Sequence, residues 1–358
     1  MPGTDLHRQV PPWNLGQGGA MVVKVAGALD AVTGNPPPEG EPALCVTGEQ
    51  HHEDGRHFTS ADLNLVGHLY TPDGEADGPR PAIVVGHPGS GVKEQAAGLY
   101  ARRLAGHGFV TLAFDAAYQG ESEGTPRGLE DPAQRVEDVK SAVSFLTTRD
   151  DVDPDRIGVL GICASGGYVL PAAATDHRIQ AVGTVSAVDI ARQFRLGADG
   201  AQDPAVIQGM LDAAAAARTA EARGEGMQSF PLFPDTAEQA RALGGRHGFE
   251  GFEYYRTERA QYPRSAKFLT WSSVDRLAFF DAFGFVDLIA PRPLLMIVGS
   301  EAVTSWMAVE AFQHARGPKE LHWIDGASHV DLYDKERYVG PAVAKLADFF
   351  KAHLAEAE

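Results

Sequence analysis

The sequence predicts an α/β fold, with a mostly parallel sheet, helices on both of its faces and a helical cap inserted between two parts of the core. Short apolar runs typical of buried strands alternate with helical segments through the first half of the chain. The same alternation resumes towards the C-terminus after an interval in which it stops. Right-handed crossovers between parallel strands place the connecting helices on both faces of such a sheet.

The first core elements follow an N-terminal extension, residues 1–52, which is rich in Gly and Pro and shows little periodicity. Residues 65–70 and 81–86 are apolar runs bounded by turn residues, and the second lacks polar alternation, as a strand buried on both faces does. Residues 94–106 carry apolar side chains at helical spacing, and residues 109–114 form another apolar run. The predicted order is strand, helix, strand.

The pattern repeats before it is interrupted. Helix, strand, helix and strand are predicted in turn at residues 131–148, 156–162, 164–174 and 179–187, which completes a first core part of residues 53–189. Residues 190–274 are Ala-rich and helical with scattered aromatic residues, and we predict that they form the cap. The second core part, residues 275–358, contains a strand, a helix, a strand and a closing helix at residues 293–298, 306–315, 320–324 and 341–355.

Composition and charge exclude several classes of function. The chain has 358 residues, 44% of them apolar and 22% charged, as in ordinary globular proteins. Lys and Arg number 31 against 48 Asp and Glu, and the resulting net charge of −17 would repel a nucleic-acid backbone or an anionic membrane. No apolar run approaches the roughly 18 residues that a membrane-spanning helix needs. We therefore expect neither nucleic acid nor membrane as a partner.

Cysteine and histidine usage gives no sign of a structural metal. Cys45 and Cys163 are far apart and match neither a disulfide framework nor a zinc site. His51, His52 and His57 lie in a polar segment without the spacing of a metal site. Charged residues interrupt the apolar stretch at 20–32, so the N-terminus lacks the pattern of a secretory signal. We expect a cytoplasmic protein that acts alone or as a homo-oligomer.

The most informative segment is residues 156–168, in which a buried strand runs directly into Gly-Ile-Cys-Ala-Ser-Gly-Gly and then a helix. Small residues two positions on either side of Cys163 are typical of a nucleophile elbow, a strained turn between a strand and a helix. A helix N-terminus behind the thiol would lower its pKa and favour the thiolate. Ser165 is the alternative nucleophile, although its turn would lie inside the helix. The competing interpretation is that Cys163 is a small buried residue.

His329 is the candidate general base. It follows the predicted strand at residues 320–324, late in the chain and at the same edge of the sheet. An imidazole there can take the thiol proton and later activate water.

A carbonyl oxygen under attack needs two preorganised N–H donors, and the amide of Ala164 is the expected first donor. The second is expected from the loop His-Pro-Gly-Ser-Gly after residues 81–86, with Gly89 or Ser90 as the donor. The nucleotide-binding patterns GxGxxG and GxxxxGK[ST] are absent, so no motif indicates a nucleotide cofactor.

With elbow, histidine and glycine-containing loop in place, the chain resembles the α/β-hydrolase superfamily, and its elbow is most similar to the dienelactone-hydrolase-like branch that uses cysteine. The segments HPGSGVKEQ at 87–95, DAAYQGES at 115–122 and GASHVDLYD at 326–334 are similar to bacterial and fungal hydrolases and polyketide acyltransferases of that branch. The resemblance implies an α/β-hydrolase fold and catalysis by Cys163 and His329 without a cofactor.

The acid of the family's catalytic triad is the one departure. It is normally an Asp in the loop after the penultimate strand, here residues 299–304, and this loop contains none, with Val303 in the expected place. Glu301 of the same loop is the expected substitute, and Asp189, just after the preceding strand, is the alternative acid. A dyad without an acid is the third option, because a thiol ionises more readily than a hydroxyl.

These features together predict an enzyme that hydrolyses a small ester, thioester or lactone through an acyl-Cys163 intermediate. An acyltransferase that delivers the acyl group to an alcohol or amine would use the same intermediate, and a cap that excludes water would favour it. A ligand-binding homologue without turnover is the third hypothesis, motivated by the missing Asp.

Overall fold

The computed structural model describes residues 52–74 and 78–355. The predicted N-terminal extension, with Cys45 and His51, lies outside the described residues except for its last position, His52. The strands are β1 His52–Ser60, β2 Leu63–Thr71, β3 Arg80–Gly86, β4 Val110–Phe114, β5 Val152–Ile162, β6 Ile179–Val185, β7 Ser229–Pro231, β8 Phe268–Thr270, β9 Leu294–Gly299 and β10 Lys319–Ile324.

The helices complete the alternating pattern. They are α1 Ala96–Ala105, α2 Pro132–Thr147, α3 Ala164–Thr175, α4 Ile190–Leu196, α5 Pro204–Ala222, α6 Ala237–Arg256, α7 Ser272–Phe279, α8 Ser305–His314, α9 Asp331–Asp334 and α10 Glu336–His353, with a 3₁₀ helix at Val286–Ile289. Among the described residues, no helix is both long and apolar enough to span a bilayer.

Eight of the described strands form the central sheet, in the spatial order β1-β2-β4-β3-β5-β6-β9-β10. β2 pairs antiparallel with β1 and with β4, whereas the other pairings in the sheet are parallel. The mostly parallel α/β sheet that the sequence predicts is therefore confirmed. Because the parallel strands all end at one edge, the loops after β3, β5, β9 and β10 lie together there.

Alternate residues of the buried strands pack into two hydrophobic clusters, one on each face of the sheet. Ile83 of β3 belongs to the cluster that includes α1 and α10, whereas Val84 belongs to the cluster that includes α2 and α3. Both side chains are completely buried. A strand covered on both faces has no solvated row of side chains, which explains the unbroken apolar runs in the sequence.

The structure differs from the sequence prediction at several elements, including the first strand, the closing helix and the β7–β8 pair in the segment predicted to be helical. Strand β1, with the sequence HEDGRHFTS, was not predicted because its side chains are mostly polar. It lies at the edge of the sheet and pairs through its backbone with β2, so it needs few apolar side chains. The closing helix begins at Glu336 rather than at Pro341, which lies inside the helix. The predicted start of this helix at Pro341 is therefore wrong.

Residues 190–274, called the cap from here on, form α4, α5, α6, the start of α7 and the antiparallel β7–β8 pair. A third hydrophobic cluster joins the cap to α3. Its aromatic rings include Phe230, which lies 4.5 Å from the ring of Trp271 and 6.5 Å from that of Phe194. Tyr168 of α3 belongs to the same cluster, so the cap packs next to the strand–helix turn that carries Cys163.

Candidate active site

Cys163 lies at the turn between β5 and α3 with φ 55° and ψ −117°, a backbone conformation that residues other than glycine seldom adopt. The turn tolerates only small neighbours, since a Cβ atom on Gly161 would lie 2.2 Å from the carbonyl oxygen of Ser165. Backbone hydrogen bonds from Gly166 and Val188 to the carbonyl of Cys163, of 2.8 and 3.1 Å, hold the strained peptide. The predicted elbow conformation is confirmed.

Ser165, the alternative nucleophile, occupies a different environment. It lies in the first turn of α3, is buried, and donates a 2.6 Å hydrogen bond to the carbonyl of His87. Its hydroxyl therefore ties the elbow to the loop after β3.

The backbone N–H groups of Gly89 and Ala164 interact with the sulfur of Cys163 and act to lower the pKa of its thiol. These are two of the three amides that the sequence predicts for the oxyanion hole. Ser90, the third candidate, has φ 57°, and its carbonyl accepts a 2.8 Å hydrogen bond from Ser265 of the cap. The structure thus brings Gly89 and Ala164 together at the sulfur.

His87 fixes the peptide unit that carries the Gly89 amide. Its Nε2 atom accepts hydrogen bonds from the amide of Ala116 at 3.1 Å and from the guanidinium of Arg135 at 3.0 Å. Nδ1 therefore carries the proton, and it donates to the carbonyl oxygen of Pro88 at 2.7 Å. Because that carbonyl and the Gly89 N–H belong to one peptide unit, His87 sets the direction in which the amide points.

Arg135 is held in turn by a buried carboxylate. Glu130 pairs with the guanidinium at 3.1 Å and accepts a 2.8 Å hydrogen bond from the hydroxyl of Tyr168. Both charged side chains are almost completely buried beside the elbow. The positive charge of Arg135 favours the thiolate form of Cys163.

His329 follows β10 and is 1% exposed. Its Nδ1 atom hydrogen-bonds with Oγ1 of Thr304 at 2.6 Å, and its Nε2 atom hydrogen-bonds with the hydroxyl of Tyr333 at 2.9 Å. The Tyr333 side chain also interacts with the thiol of Cys163, and this interaction favours the thiolate. The structure therefore places the two sequence-predicted residues at one site, with a tyrosine hydroxyl between them.

The structure does not bring either predicted acid to His329. Glu301 lies in the expected loop, but its carboxylate is exposed and pairs with Arg246 at 3.3 Å. Asp189 is buried as the N-terminal cap of α4, where it accepts hydrogen bonds from the amides of Ala191 and Ala282 at 2.9 and 3.2 Å. In the described part of the chain, no carboxylate hydrogen-bonds with the imidazole, and Thr304 holds that position.

Val303 occupies the loop position where the sequence analysis expects the acid. The residue that contacts His329 is the next one along the chain, Thr304. The Val303 side chain is 36% exposed, whereas Thr304 is buried. Thr304 and Tyr333 are two of the residues that the sequence analysis missed. Tyr333 lies four positions after His329, a spacing that places two side chains on one side of a helical turn and could have indicated it.

Burial favours the neutral forms of the Cys163 thiol and the His329 imidazole. It raises the pKa of the Cys163 thiol, and this effect outweighs the interactions with Tyr333, Ala164 and Gly89 and the charge of Arg135. The lowered thiol pKa that the sequence suggested is therefore not found. Burial, together with the neighbouring His247, lowers the pKa of His329 well below its ordinary value.

His247 of the cap contributes a second imidazole to the site. The two rings are edge to face, with centroids 4.8 Å apart. Its Nε2 atom lies 3.3 Å from the side-chain amide of Gln193, and burial lowers its pKa to about 4. Gly245, two positions before His247, has φ 57° and kinks α6. Over the described residues, no group of His, Cys, Asp and Glu side chains could hold a metal ion.

Comparison with known proteins agrees with this architecture. A model of the family described as "Dienelactone hydrolase family" matches residues 65–188, which include β2 to β6 and the elbow. The uncharacterized protein YcjY of Escherichia coli (strain K12) is 42% identical over 274 residues, covering 76% of this chain and 89% of YcjY. The crystal structure of hypothetical protein PA2218 from Pseudomonas aeruginosa superposes with a TM-score of 0.79 at 32% identity, covering 87% of this chain and 100% of that one.

A relative with a named activity is more distant. Thiohydrolase aneE of Aspergillus aculeatus is 27% identical over 289 residues, covering 79% of this chain and 88% of the relative. The similarity extends over most of both chains.

Proposed function

The chain belongs to the dienelactone hydrolase family and is an α/β-hydrolase enzyme, and we propose that it hydrolyses acyl thioesters, and more slowly esters or lactones, through a covalent acyl-Cys163 intermediate. The observation that carries this proposal is the position of the Cys163 sulfur, at a strained elbow between the amides of Gly89 and Ala164. Two N–H donors beside a nucleophile are suited to stabilise the oxyanion of a tetrahedral intermediate.

In the proposed reaction the sulfur of Cys163 attacks the carbonyl carbon, and the carbonyl oxygen becomes an oxyanion near the two amides. The tetrahedral intermediate collapses with loss of the leaving thiol, which leaves an acyl group on Cys163. His329 then removes a proton from water, and the water attacks the acyl-enzyme to release the acid.

Thioesters are favoured over esters because of the residues around His329. An alkoxide is a strong base and must be protonated as it leaves, which requires an imidazolium at His329. A buried imidazole with Thr304 rather than a carboxylate at Nδ1 stabilises that cation poorly. A thiolate is a much weaker base, with a conjugate acid of pKa about 8.5, and leaves with less protonation. The name of thiohydrolase aneE supports the same substrate class.

Acyl transfer is the second candidate, and the burial of the site favours it. His329 is 1% exposed and is covered by His247 of the cap, so water has restricted access to the acyl-enzyme. An alcohol or amine that binds under the cap would then compete with water for the same intermediate. The hypothesis of a binding protein without turnover is not retained, because the matched family model is one of hydrolases and the relatives include thiohydrolase aneE.

Rapid-quench mass spectrometry with a simple thioester, S-butanoyl-N-acetylcysteamine, tests the proposal. We expect a 1:1 butanoyl adduct on the peptide that contains Cys163, and no adduct in Cys163→Ala. Addition of small alcohols or amines during turnover separates the two candidates, because transfer yields esters or amides in place of butanoate. Unchanged turnover in Cys163→Ala would rule out the covalent mechanism.

A further inference from the structure

We propose that Tyr333 is a catalytic residue of this site and relays the proton between the thiol of Cys163 and His329. The proposal rests on the proposed function, since it assigns a role within the same acyl-cysteine chemistry. It differs from a direct cysteine–histidine pair, in which the imidazole takes the thiol proton without an intermediary.

The contacts of Tyr333 are those of a relay. Its hydroxyl hydrogen-bonds with Nε2 of His329 at 2.9 Å, and the same side chain interacts with the thiol of Cys163 and acts to lower the thiol pKa. Of the hydrogen bonds found in the described structure, those of the His329 ring go to Thr304 and Tyr333, and none goes to the sulfur. A hydroxyl can accept one proton and donate another at the same time, so it can connect the two groups without being ionised.

The surrounding structure holds the hydroxyl in this place. The Tyr333 ring is 2% exposed and packs edge to face against Tyr254, with centroids 5.1 Å apart. The short helix α9 that carries it is anchored by a 2.7 Å hydrogen bond from Tyr100 to the carbonyl of Leu332. An ion pair of 2.6 Å between Arg259 of the cap and Asp334 anchors its other end. The tyrosine therefore has little freedom to leave the gap between the two residues.

Burial and the neighbouring thiol raise the pKa of Tyr333 well above its ordinary value. The phenol stays protonated near neutral pH, so it serves as a relay and not as the base that retains the proton. The base remains His329, whose imidazole is neutral at rest.

The relay balances in both directions. During attack the S–C bond forms and the carbonyl π electrons move to oxygen, while the thiol proton passes to the Tyr333 oxygen and the tyrosine proton passes to Nε2 of His329. During collapse the bond from carbon to the leaving sulfur breaks, the imidazolium proton returns to the tyrosine oxygen, and the tyrosine proton passes to the leaving thiolate. The residues recover their original protonation, and no oxidant or cofactor is consumed.

The substitution Tyr333→Phe removes the hydroxyl and keeps the ring, and Tyr254→Phe is the matched control on the adjacent packed ring. Single-turnover acylation of Cys163 by S-butanoyl-N-acetylcysteamine is followed by mass spectrometry in both variants. We expect the acylation rate constant of Tyr333→Phe to fall about 10²-fold or more, as for the loss of a general acid–base group, with substrate affinity changed less than threefold. The control is expected to acylate at a rate close to that of the unsubstituted protein.

A proton inventory of acylation in mixtures of H₂O and D₂O gives a readout that packing does not affect. Two protons move together in the relay, so the unsubstituted protein is expected to show a curved inventory, and a straight line would overturn the relay. Equal acylation rates in Tyr333→Phe and the unsubstituted protein would also overturn it while the acyl-cysteine mechanism stands. Absence of any Cys163 adduct in the unsubstituted protein would overturn both. If Tyr333→Phe fails to fold, the inventory still decides.

Discussion

At the scale of single residues, the environment of His329 distinguishes this site from a triad with an acid. Thr304 orients the imidazole through a 2.6 Å hydrogen bond, but its neutral hydroxyl can either donate or accept and so does not select one tautomer. A carboxylate in that position would both select the tautomer and stabilise the imidazolium. In the proposed mechanism the site therefore depends on burial, two amides and a relay hydroxyl.

Thr304→Asp should supply the missing charge. An anion at Nδ1 favours the protonated imidazole, so the pKa of His329 should rise from its lowered value. Since the base must be neutral, the acid limb of the pH–rate profile should move to higher pH, while turnover of p-nitrophenyl esters above that limb rises about tenfold. Stopped-flow release of nitrophenol across pH 5–9 measures both effects.

Thr304→Asn is the matched control, because it has the shape of aspartate without the charge. It should leave the acid limb where it is in the unsubstituted protein. The same shift in both variants would show that the change comes from geometry and not from charge.

At the scale of elements, the strand–turn–helix unit of β5 and α3 places Cys163, the proposed nucleophile. The backbone of α3 passes so close to β5 that only glycine is accommodated at position 161. A Cβ atom on Gly161 would lie 2.2 Å from the carbonyl oxygen of Ser165. The loop after β3 supplies the second amide, with its peptide direction fixed by His87. Two local units therefore supply the two amides of the proposed oxyanion hole.

Gly161→Ala should unfold or severely destabilise the protein. The added Cβ meets backbone atoms, which cannot move without distorting the elbow, so we expect a loss of about 3 kcal/mol or more in the free energy of unfolding. Gly209→Ala, in α5 with open space around it, should instead stabilise by up to about 1 kcal/mol. Urea unfolding of both variants gives the comparison, and equal stabilities would contradict the predicted close contact.

At the scale of the whole molecule, three hydrophobic clusters pack against Cys163. Two of them lie on the two faces of the sheet, and the third joins α3 to the cap. The cap packs on α3 through an aromatic cluster and contacts His329 through His247. Arg246 and Arg259 add ion pairs from the cap to Glu301 and Asp334 of the core. Stability and activity should therefore respond together to changes at this junction.

Buried neutral histidines should make the protein sensitive to acid. The pKa of His247 is about 4 in the folded state and near 6.5 when unfolded, so between these values the unfolded chain binds more protons. Its contribution to stability is present above pH 6.5 and is lost as pH falls towards 4. His87 and His329 shift in the same direction.

His247→Gln removes one of these groups. Between pH 7.5 and pH 5.0, the free energy of unfolding should fall less in the His247→Gln variant than in the unsubstituted protein. The expected difference between the two decreases is up to about 2 kcal/mol. His107→Gln, at a loop position exposed to solvent, should show no such difference. Urea titrations at both pH values provide the measurement, and parallel pH dependences in all three proteins would contradict the assignment.

The sequence by itself determined the features that depend on short patterns. Buried strands gave unbroken apolar runs, and small residues at fixed spacing marked the elbow at Cys163, because a strand buried on both faces and a sharp turn restrict side chains locally. The position of His329 after a late strand followed from the common edge of a parallel sheet. The polar edge strand β1 carried no such pattern and was missed.

The tertiary structure alone decided what surrounds these residues. Thr304 in place of Glu301 or Asp189, Tyr333 between thiol and imidazole, and His247 from the cap all depend on contacts between distant segments or on the direction of a side chain. The raised pKa of Cys163 likewise comes from burial, which opposes the local helix effect that the sequence suggested. Burial and long-range contacts arise only when the whole chain packs, so no short pattern could give them.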